Sequence, residues 1–469
     1  LMYVNGFRGQ VYSTSATAQL CEIMLRDSAH IQMFEAEWRN RKAARSGGKL
    51  KEFVPLYDMD AAVNVCKQFV GCEYDRVYDI AEGIKIRFTD VGHLLGSASI
   101  EVWATEKTEN GDVTEKIVFS GDIGNINKPI IKDPKHVRDA DYVVMESTYG
   151  NRSHGGTPNY VEDLTDIFKR TFERGGNVVI PSFAVGRTQE LLYIIRKIKE
   201  DNLVGRDFDV YMDSPLAIEA TNIFIKNVES CFDDEAVELV RKGINPLTFP
   251  GLKYATTGDE SKQINFDPNP KVIISSSGMC EAGRIRHHLK HNLWRPECTI
   301  VFVGYQAVGT TGRIIVDGAE EIKLFGEPIQ IKAEIVQLKG SSGHADKDGL
   351  LCWINAFDTK PKKVFVVHGE DSVCDEFTEC LKEEYGYDAM APYTGGSYDL
   401  IADRVISEGV KERKTRRTTS TQRGKTVFDR LVAAGKRLMT VITHNEGGTN
   451  KDLAKFTDQI NALCDKWDR

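Results

Sequence analysis

The stretch Ile84-Lys85-Ile86-Arg87-Phe88-Thr89-Asp90-Val91-Gly92-His93 alternates apolar and polar side chains, then delivers a histidine just past its last apolar residue. A period of two marks a strand with one buried face. Three more segments repeat the layout. Asp122 follows Ile117-Val118-Phe119-Ser120, Glu146 follows Tyr142-Val143-Val144-Met145, and His368 follows Lys363-Val364-Phe365-Val366-Val367. Residues at strand ends reach a shared cleft while the strands stay buried, so this layout suits a metal or catalytic centre better than scattered core positions would.

Outward from these segments the chain changes style twice. From Ile84 to Val144 short β runs are separated by Gly, Asp and Asn, with Glu109-Asn110-Gly111-Asp112 as a hairpin turn. From about Asn151, strands at Asn177 to Pro181, Phe208 to Met212, Lys271 to Ser275 and Thr299 to Gly304 alternate with helices at Thr188 to Lys199, Leu216 to Cys231 and Glu281 to Asn292. That alternation predicts βαβ units around a mostly parallel sheet. From Ala333 the first style returns, with strands at Glu334 to Leu338 and Lys363 to His368 around a helix near Asp346 to Phe357. An α/β block of about 190 residues therefore reads as inserted into another domain, within the usual domain size.

Composition narrows the class. The 469 residues are 41% hydrophobic and 28% charged, which supports two or three domains with full cores. Ten cysteines are spread singly with no C-x-x-C pair, so neither a disulfide framework nor a thiolate zinc site is indicated, and free thiols in a reducing, cytoplasmic setting are expected. No run approaches the 18 or so consecutive apolar residues of a membrane span, so no membrane domain is expected. A net charge of −8 argues against a broadly basic nucleic-acid coat and leaves room for a local groove of Arg and Lys. Lys411 to Lys425 is basic and free of apolar residues, a solvated linker or a phosphate-backbone contact. Beyond it Leu453, Phe456, Ile460, Leu463 and Trp467 recur at 3-4-3-4 spacing on one helix face, which either docks on the same chain or joins two copies as a homodimer.

The local contexts carry the chemistry. In Asp90-Val-Gly-His93-Leu-Leu-Gly-Ser-Ala-Ser99 glycines and small residues let the backbone approach something compact. In Ser120-Gly-Asp122-Ile-Gly124 a carboxylate in a tight turn serves either an Asx turn or a bridge between two cations about 3.5–4 Å apart. His344, in Ser342-Gly-His344-Ala-Asp346, precedes a helix that Asp346 is placed to cap. A histidine there suits proton donation to a leaving group, and a carboxylate such as Glu146 would fix its tautomer. Three Gly-rich segments, Pro181 to Arg187, Ser275 to Arg284 and Gly304 to Arg313, each end in arginine. Their candidate phosphate contacts are Ser182, Arg187, Ser276, Ser277, Arg284 and Arg313, which together suit a polyanionic substrate.

Taken in order, Gly-His93-Leu-Leu-Gly-Ser-Ala, Ser-Gly-Asp122, Glu146-Ser-Thr-Tyr-Gly, Ser-Gly-His344-Ala-Asp and Val-His368-Gly-Glu resemble the metallo-β-lactamase superfamily, and within it the β-CASP nucleases of RNA processing. The resemblance covers Leu1 to about Asp403. It implies an αββα sandwich interrupted by an α/β β-CASP domain. The expected parts are 1–150 and 339–405 for the sandwich, 151–338 for the insert, and 406–469 for the basic linker and terminal helix. It further implies two Zn2+ ions per intact site, His93 on one, His368 on the other, and Asp122 bridging both. Glu146 and His344, with Asp122, would act beside the scissile phosphate of single-stranded RNA. The family's His-x-His-x-Asp-His cluster has no counterpart, because no two of the ten histidines are separated by one residue. The resulting expectation is an N-terminally truncated hydrolase that is inactive as it stands. The alternative is a non-catalytic RNA-binding or scaffold subunit.

Overall fold

The computed structural model describes residues 1–45, 52–109, 111–155, 159–338, 342–410, 435, 438–439, 441–443 and 450–467. Leu1–Gly409 forms one compact unit and Val410–Arg469 a second. In the second unit the helix Asn450–Trp467 spans the predicted apolar stripe. The basic segment Lys411 to Lys425 lies outside the described residues.

Two sheets organise the first unit. One has seven strands in the order Ala389–Met390, Lys363–Val367, Tyr142–Glu146, Gly111–Phe119, Ala98–Thr108, Ile84–Asp90 and Val77–Ala81. Its last four strands form an antiparallel meander, and the two-residue connection after Thr108 pairs Thr108 with Gly111, as the turn sequence predicted. The pairings among its other strands are parallel. The second sheet has six strands, all parallel, in the order Leu252–Tyr254, Asp209–Asp213, Lys271–Ser275, Val178–Pro181, Thr299–Phe302 and Glu334–Gln337.

Parallel strands covered on both faces should be apolar throughout, and Val178–Pro181, Lys271–Ser275 and Thr299–Phe302 are buried at every position. Val178, Ile180, Val272 and Ile274 face one helical layer, while Val179, Ile273, Ile300 and Phe302 face another. In the seven-stranded sheet Val118, Val143, Met145, Val364 and Val366 pack against Leu350, Trp353, Ile354, Phe377 and Leu381 of two helices, Lys347–Ile354 and Asp371–Glu383. Each such fully buried side chain contributes about 1.5–3 kcal/mol.

The structure corrects the sequence expectations at three places. Glu334–Gln337 pairs in parallel with Thr299–Phe302, so it closes the six-stranded sheet and does not begin the return to the first. The helix expected over Leu216 to Cys231 divides into Pro215–Lys226 and Val228–Cys231 at Asn227, whose side chain donates to the Ile223 carbonyl and competes with the backbone ladder. The helix expected from Glu281 begins only at Ile285, because Cys280 and Gly283 take positive φ values of 62° and 80°. A 31-residue helix, Ser15–Arg45, was not anticipated; its low amphipathicity left no periodic signal.

Asp90, the last residue of the strand leading to His93, is 5% exposed. Burial pushes its carboxyl up to about 6, against the pull of the Gly92 N–H and of Lys132 and Lys135. A raised acid stabilises the fold only while protonated, so this contribution is present at the low end and is lost as pH rises from about 4 through 6. Asp90→Asn keeps an acceptor for Gly92 and carries no charge. Its stability relative to the parent should therefore climb by about 3 kcal/mol between pH 4 and pH 8, measured as urea midpoints. An equal difference at both pH values would refute the buried-charge account.

Candidate active site

The strand Tyr142–Glu146 lies between Gly111–Phe119 and Lys363–Val367, parallel to both, with Val367 opposite Glu146 and Phe119 opposite Val144. Parallel pairing puts the carboxyl ends of three strands at one edge, so Asp122, Glu146 and His368 emerge together. His368 follows its strand at a φ of 51°, and its carbonyl accepts from the Ser147 N–H at 3.3 Å. The loops bearing His93, Asp122 and His344 are stitched to one another. Gly124 N–H donates to the Val91 carbonyl at 2.8 Å, Ala345 N–H to the Ile123 carbonyl at 2.7 Å, and Asn125 N–H to the Gly343 carbonyl at 3.1 Å. Gly124 permits this closeness, since a Cβ there would sit 2.0 Å from the Gly92 carbonyl oxygen.

Asp122 stands between two imidazoles. Its Oδ2 is 3.9 Å from His93 Nε2 and its Oδ1 is 3.5 Å from His368 Nδ1. Two donors bound to one zinc at about 2.0–2.2 Å in tetrahedral geometry lie about 3.2–3.6 Å apart, so the His368 side fits and the His93 side is slightly wide. His93, Asp122 and His344 offer donor atoms all within 4.8 Å of one another. Nitrogen and carboxylate donors at these spacings suit zinc. With His93 and His368 as the imidazole donors, each side of Asp122 has one histidine and a shared carboxylate, fewer than the three or four protein ligands a zinc site uses.

Glu146, 1% exposed, organises the rest. Its Oε1 accepts from the Ile123 N–H at 2.5 Å, its Oε2 from the Thr148 N–H at 3.3 Å, and both oxygens face His344 Nδ1 at 3.1 and 3.2 Å. Burial alone would lower the His344 pKa, but the Glu146 hydrogen bond and charge, with Asp122 behind them, outweigh it and hold it above the ordinary histidine value. His93 shows the reverse: burial first, then His344 and Lys128, push it down to about 4, which keeps it a neutral donor. The His93 and His344 rings lie 4.4 Å apart, and those of His344 and His368 5.9 Å apart. Asp346 caps the helix Lys347–Ile354, accepting from the Gly349 N–H at 3.0 Å, as expected.

The three Gly-rich loops follow Val178–Pro181, Lys271–Ser275 and Thr299–Phe302, neighbouring strands of the parallel sheet, at the carboxyl edge where such sheets bind ligands. Gln306 Nε2 donates to the Gly278 carbonyl at 3.1 Å and Gly312 N–H to the Met279 carbonyl at 3.0 Å, which ties the second loop to the third. Ser277 is half-buried, whereas Ser182 is buried and accepts from the Thr188 hydroxyl at 3.0 Å. Ser276 donates to the Ser214 hydroxyl at 3.0 Å. Arg313 pairs with Asp317 at 2.8 Å and Arg187 with Glu190 at 2.5 Å. Arg284 is engaged inward: it meets buried Asp213 at 2.7 Å and the Ala255 and Thr256 carbonyls at 3.0 and 2.8 Å.

Sequence reading missed two groups. Lys128 Nζ donates to the His93 carbonyl at 2.8 Å and lies 3.4 Å from Glu190. The signal was the Gly186-Arg-Thr-Gln-Glu190 helix start, which was read only for its arginine. Asp213, 0% exposed, gathers Arg284, Ser261 at 2.5 Å and His288 at 2.6 Å, and these partners overcome burial to hold its carboxyl below the usual range.

Glu146→Ala strands the Ile123 N–H and His344 Nδ1 without their acceptor, and should cost about 2–4 kcal/mol in chemical denaturation. Asp213→Asn leaves Arg284 without its buried counter-charge and disrupts the hydrogen bond to His288, and should cost about 3–5 kcal/mol by the same measurement. A loss below about 1 kcal/mol would mean that the network around Asp213 relaxes freely.

Comparison with known proteins agrees with this geometry. Residues 188–315 match the Beta-Casp domain model, and residues 328–392 match the model described as a Zn-dependent metallo-hydrolase RNA specificity domain. Ribonuclease TTHA0252 of Thermus thermophilus is 32% identical over 370 residues, covering 79% of this chain and 77% of the relative. The transcription termination factor FttA of Methanosarcina mazei is 31% identical, covering 83% of this chain but only 59% of the relative's length. An RNase J-like protein of Methanocaldococcus jannaschii is 35% identical over 62% of this chain and 65% of its own. With a ribonuclease matched over most of both chains and the loops of Asp122, Glu146 and His368 gathered at one sheet edge, the chain belongs to the β-CASP nucleases of the metallo-β-lactamase superfamily.

Proposed function

We propose that this fold serves zinc-dependent hydrolysis of phosphodiester bonds in single-stranded RNA. The observation that carries the reading is Asp122, whose two oxygens face His93 and His368 separately, 3.9 and 3.5 Å away, as a bridging carboxylate must. His93, Asp122 and His368 are the proposed zinc ligands. The metals, when bound by a full ligand set, supply a nucleophile at neutral pH and neutralise phosphate charge. His344, oriented through Nδ1 by Glu146, keeps Nε2 for the departing oxygen, and its raised pKa retains the proton to higher pH than an ordinary histidine.

Residues 1–150 and 339–405 carry these groups in our assignment, and 151–338 carries the RNA contacts. Arg187, Arg313 and Ser277 face the phosphates, while Ser182, Ser276 and Arg284 shape the loops that present them. Two of the relatives are ribonucleases by name, which supports RNA as the substrate class. Ten unpaired cysteines support a cytoplasmic setting, and the apolar face of Asn450–Trp467 supports a homodimer.

The chain as it stands should bind zinc weakly, because one histidine on each side of a shared Asp122 falls short of a zinc site. The same shortfall favours, as second reading, a non-catalytic RNA-binding or scaffold role. Zinc content by elemental analysis and cleavage of end-labelled single-stranded RNA should both be near zero for these 469 residues. Both should return in a protein extended upstream by a segment bearing His-x-His-x-Asp-His. Stoichiometric zinc with cleavage in the present chain would refute the ligand assignment, and an extended, zinc-loaded protein without cleavage would favour the scaffold role.

A further inference from the structure

The helix Ile285–Asn292 begins one residue after Arg284, where the second Gly-rich loop ends. Its sequence Ile-Arg-His-His-Leu-Lys-His-Asn, followed by Leu293 and Trp294, places His287, Lys290, His291 and Trp294 at i, i+3, i+4 and i+7. That spacing is one face, with ring-bearing positions about 6 Å apart along the axis. The face is turned outward: His287 and His291 are exposed and Trp294 is 54% exposed, while His288, Leu289, Asn292 and Leu293 are buried. Leu293 keeps helical dihedrals, so Trp294 continues the stripe.

Two more rings border it. Phe325, at the tip of the hairpin formed by Glu321–Leu324 and Glu327–Gln330, is 46% exposed and stacks on His287 with centroids 4.4 Å apart and planes 25° apart. Phe266, 71% exposed, meets His291 edge-on at 6.0 Å. Cations accompany the rings. The Arg286 guanidinium lies 4.7 Å over the Phe325 ring and makes no ion pair among the described residues. Lys290 is the weaker contributor, being paired with Glu327 at 2.8 Å.

Exposed aromatic rings normally draw together into a core or an interface, and leaving three along one helix face with two more beside them has a cost in water. Alternating π faces and positive charge is the chemistry of single-stranded nucleic acid: bases stack on the rings while the cations track the phosphates. The exposed helix face offers imidazoles, an indole and a lysine, a combination that suits bases and phosphates together. We propose that the face His287, His291 and Trp294, flanked by Phe266 and Phe325, is a stacking platform that extends the single-stranded RNA path beyond the Ser276–Arg284 loop. The proposal rests on the RNA reading above and assigns the strand a course away from the scissile phosphate.

The test is binding without cleavage. Fluorescence anisotropy of the full chain in EDTA would compare a labelled U20, a U4 and a 20-base-pair DNA duplex. His291→Ala with Trp294→Ala should weaken U20 by about tenfold or more, since each lost stacking contact is large, and leave U4 and the duplex within twofold. Trp294→Phe should retain most of the U20 affinity. Arg286→Ala should reduce the slope of log affinity on log salt by about one contact's worth. His291 and Trp294 are exposed, so unchanged thermal melts are expected for their variants. U20 affinity within twofold of the parent overturns the platform while leaving the RNA reading intact. Equal loss on the duplex also overturns it, because paired bases cannot stack on side chains. A parent chain that binds neither U20 nor U4 overturns the RNA reading itself, and the platform with it.

Discussion

The candidate site depends on one pairing: Lys363–Val367 lying parallel to Tyr142–Glu146, with Val367 opposite Glu146. More than two hundred residues separate these strands in sequence, yet their register places His368 beside the carboxylate that orients His344. A one-residue slip would turn Val364 and Val366 away from the core they share with Val143 and Met145, so the hydrophobic pattern enforces the register. The chain leaves the sheet after Glu146 and re-enters it at Lys363; the helix Lys347–Ile354 packs back on this sheet, and most of the remainder folds as its own layer. The six-stranded sheet is that layer, with its carboxyl-edge loops carrying the arginines.

Holding charged and polar groups at this edge costs desolvation, and the fold offsets it with hydrogen bonds rather than exposure. Glu146 is almost wholly buried and is satisfied by two backbone N–H groups and one imidazole. Asp213 is handled the same way by Arg284, Ser261 and His288. Asp122 differs. It is 41% exposed in its side chain and faces two imidazoles at distances longer than a hydrogen bond. A carboxylate left open between two imidazole donors is arranged for a ligand, whereas Glu146 and Asp213 are arranged for neighbours.

What the sequence revealed follows from the range of the interactions involved. Strand-end placement of His93, Asp122, Glu146 and His368 was legible because short alternating or continuous apolar runs are local signals. The capping role of Asp346 was legible for the same reason. The strand Glu334–Gln337 was assigned to the wrong sheet because its partner, Thr299–Phe302, is chosen by tertiary packing that a four-residue run does not encode. Arg284 looked like its counterparts at Arg187 and Arg313, since all three close a Gly-rich loop. Only the fold places Asp213, 71 residues away, against its guanidinium. Motifs report which residues gather at an edge; they do not report which of those residues turn inward.

The two sheets are joined near the site by a chain of charge rather than by apolar packing alone. Lys128, on the loop after Asp122, holds the His93 carbonyl, and its ammonium lies against Glu190 of the helix Arg187–Glu200. Glu190 also takes Arg187, at the end of the first Gly-rich loop. Lys128 and Glu190 are both about nine-tenths buried, so their attraction is little screened, and losing one partner would leave the other charge without compensation. Leu94 fits beneath Gly186, where a Cβ would come within 2.5 Å of its methyl group, so the His93 loop and the arginine loop also touch directly. A phosphate drawn to Arg187 would therefore compete with Glu190 for its guanidinium, and the change in that pair would be felt at Lys128 and at the carbonyl of a proposed zinc ligand. The arrangement makes the His93 loop and the Arg187 loop parts of one electrostatic unit spanning both sheets.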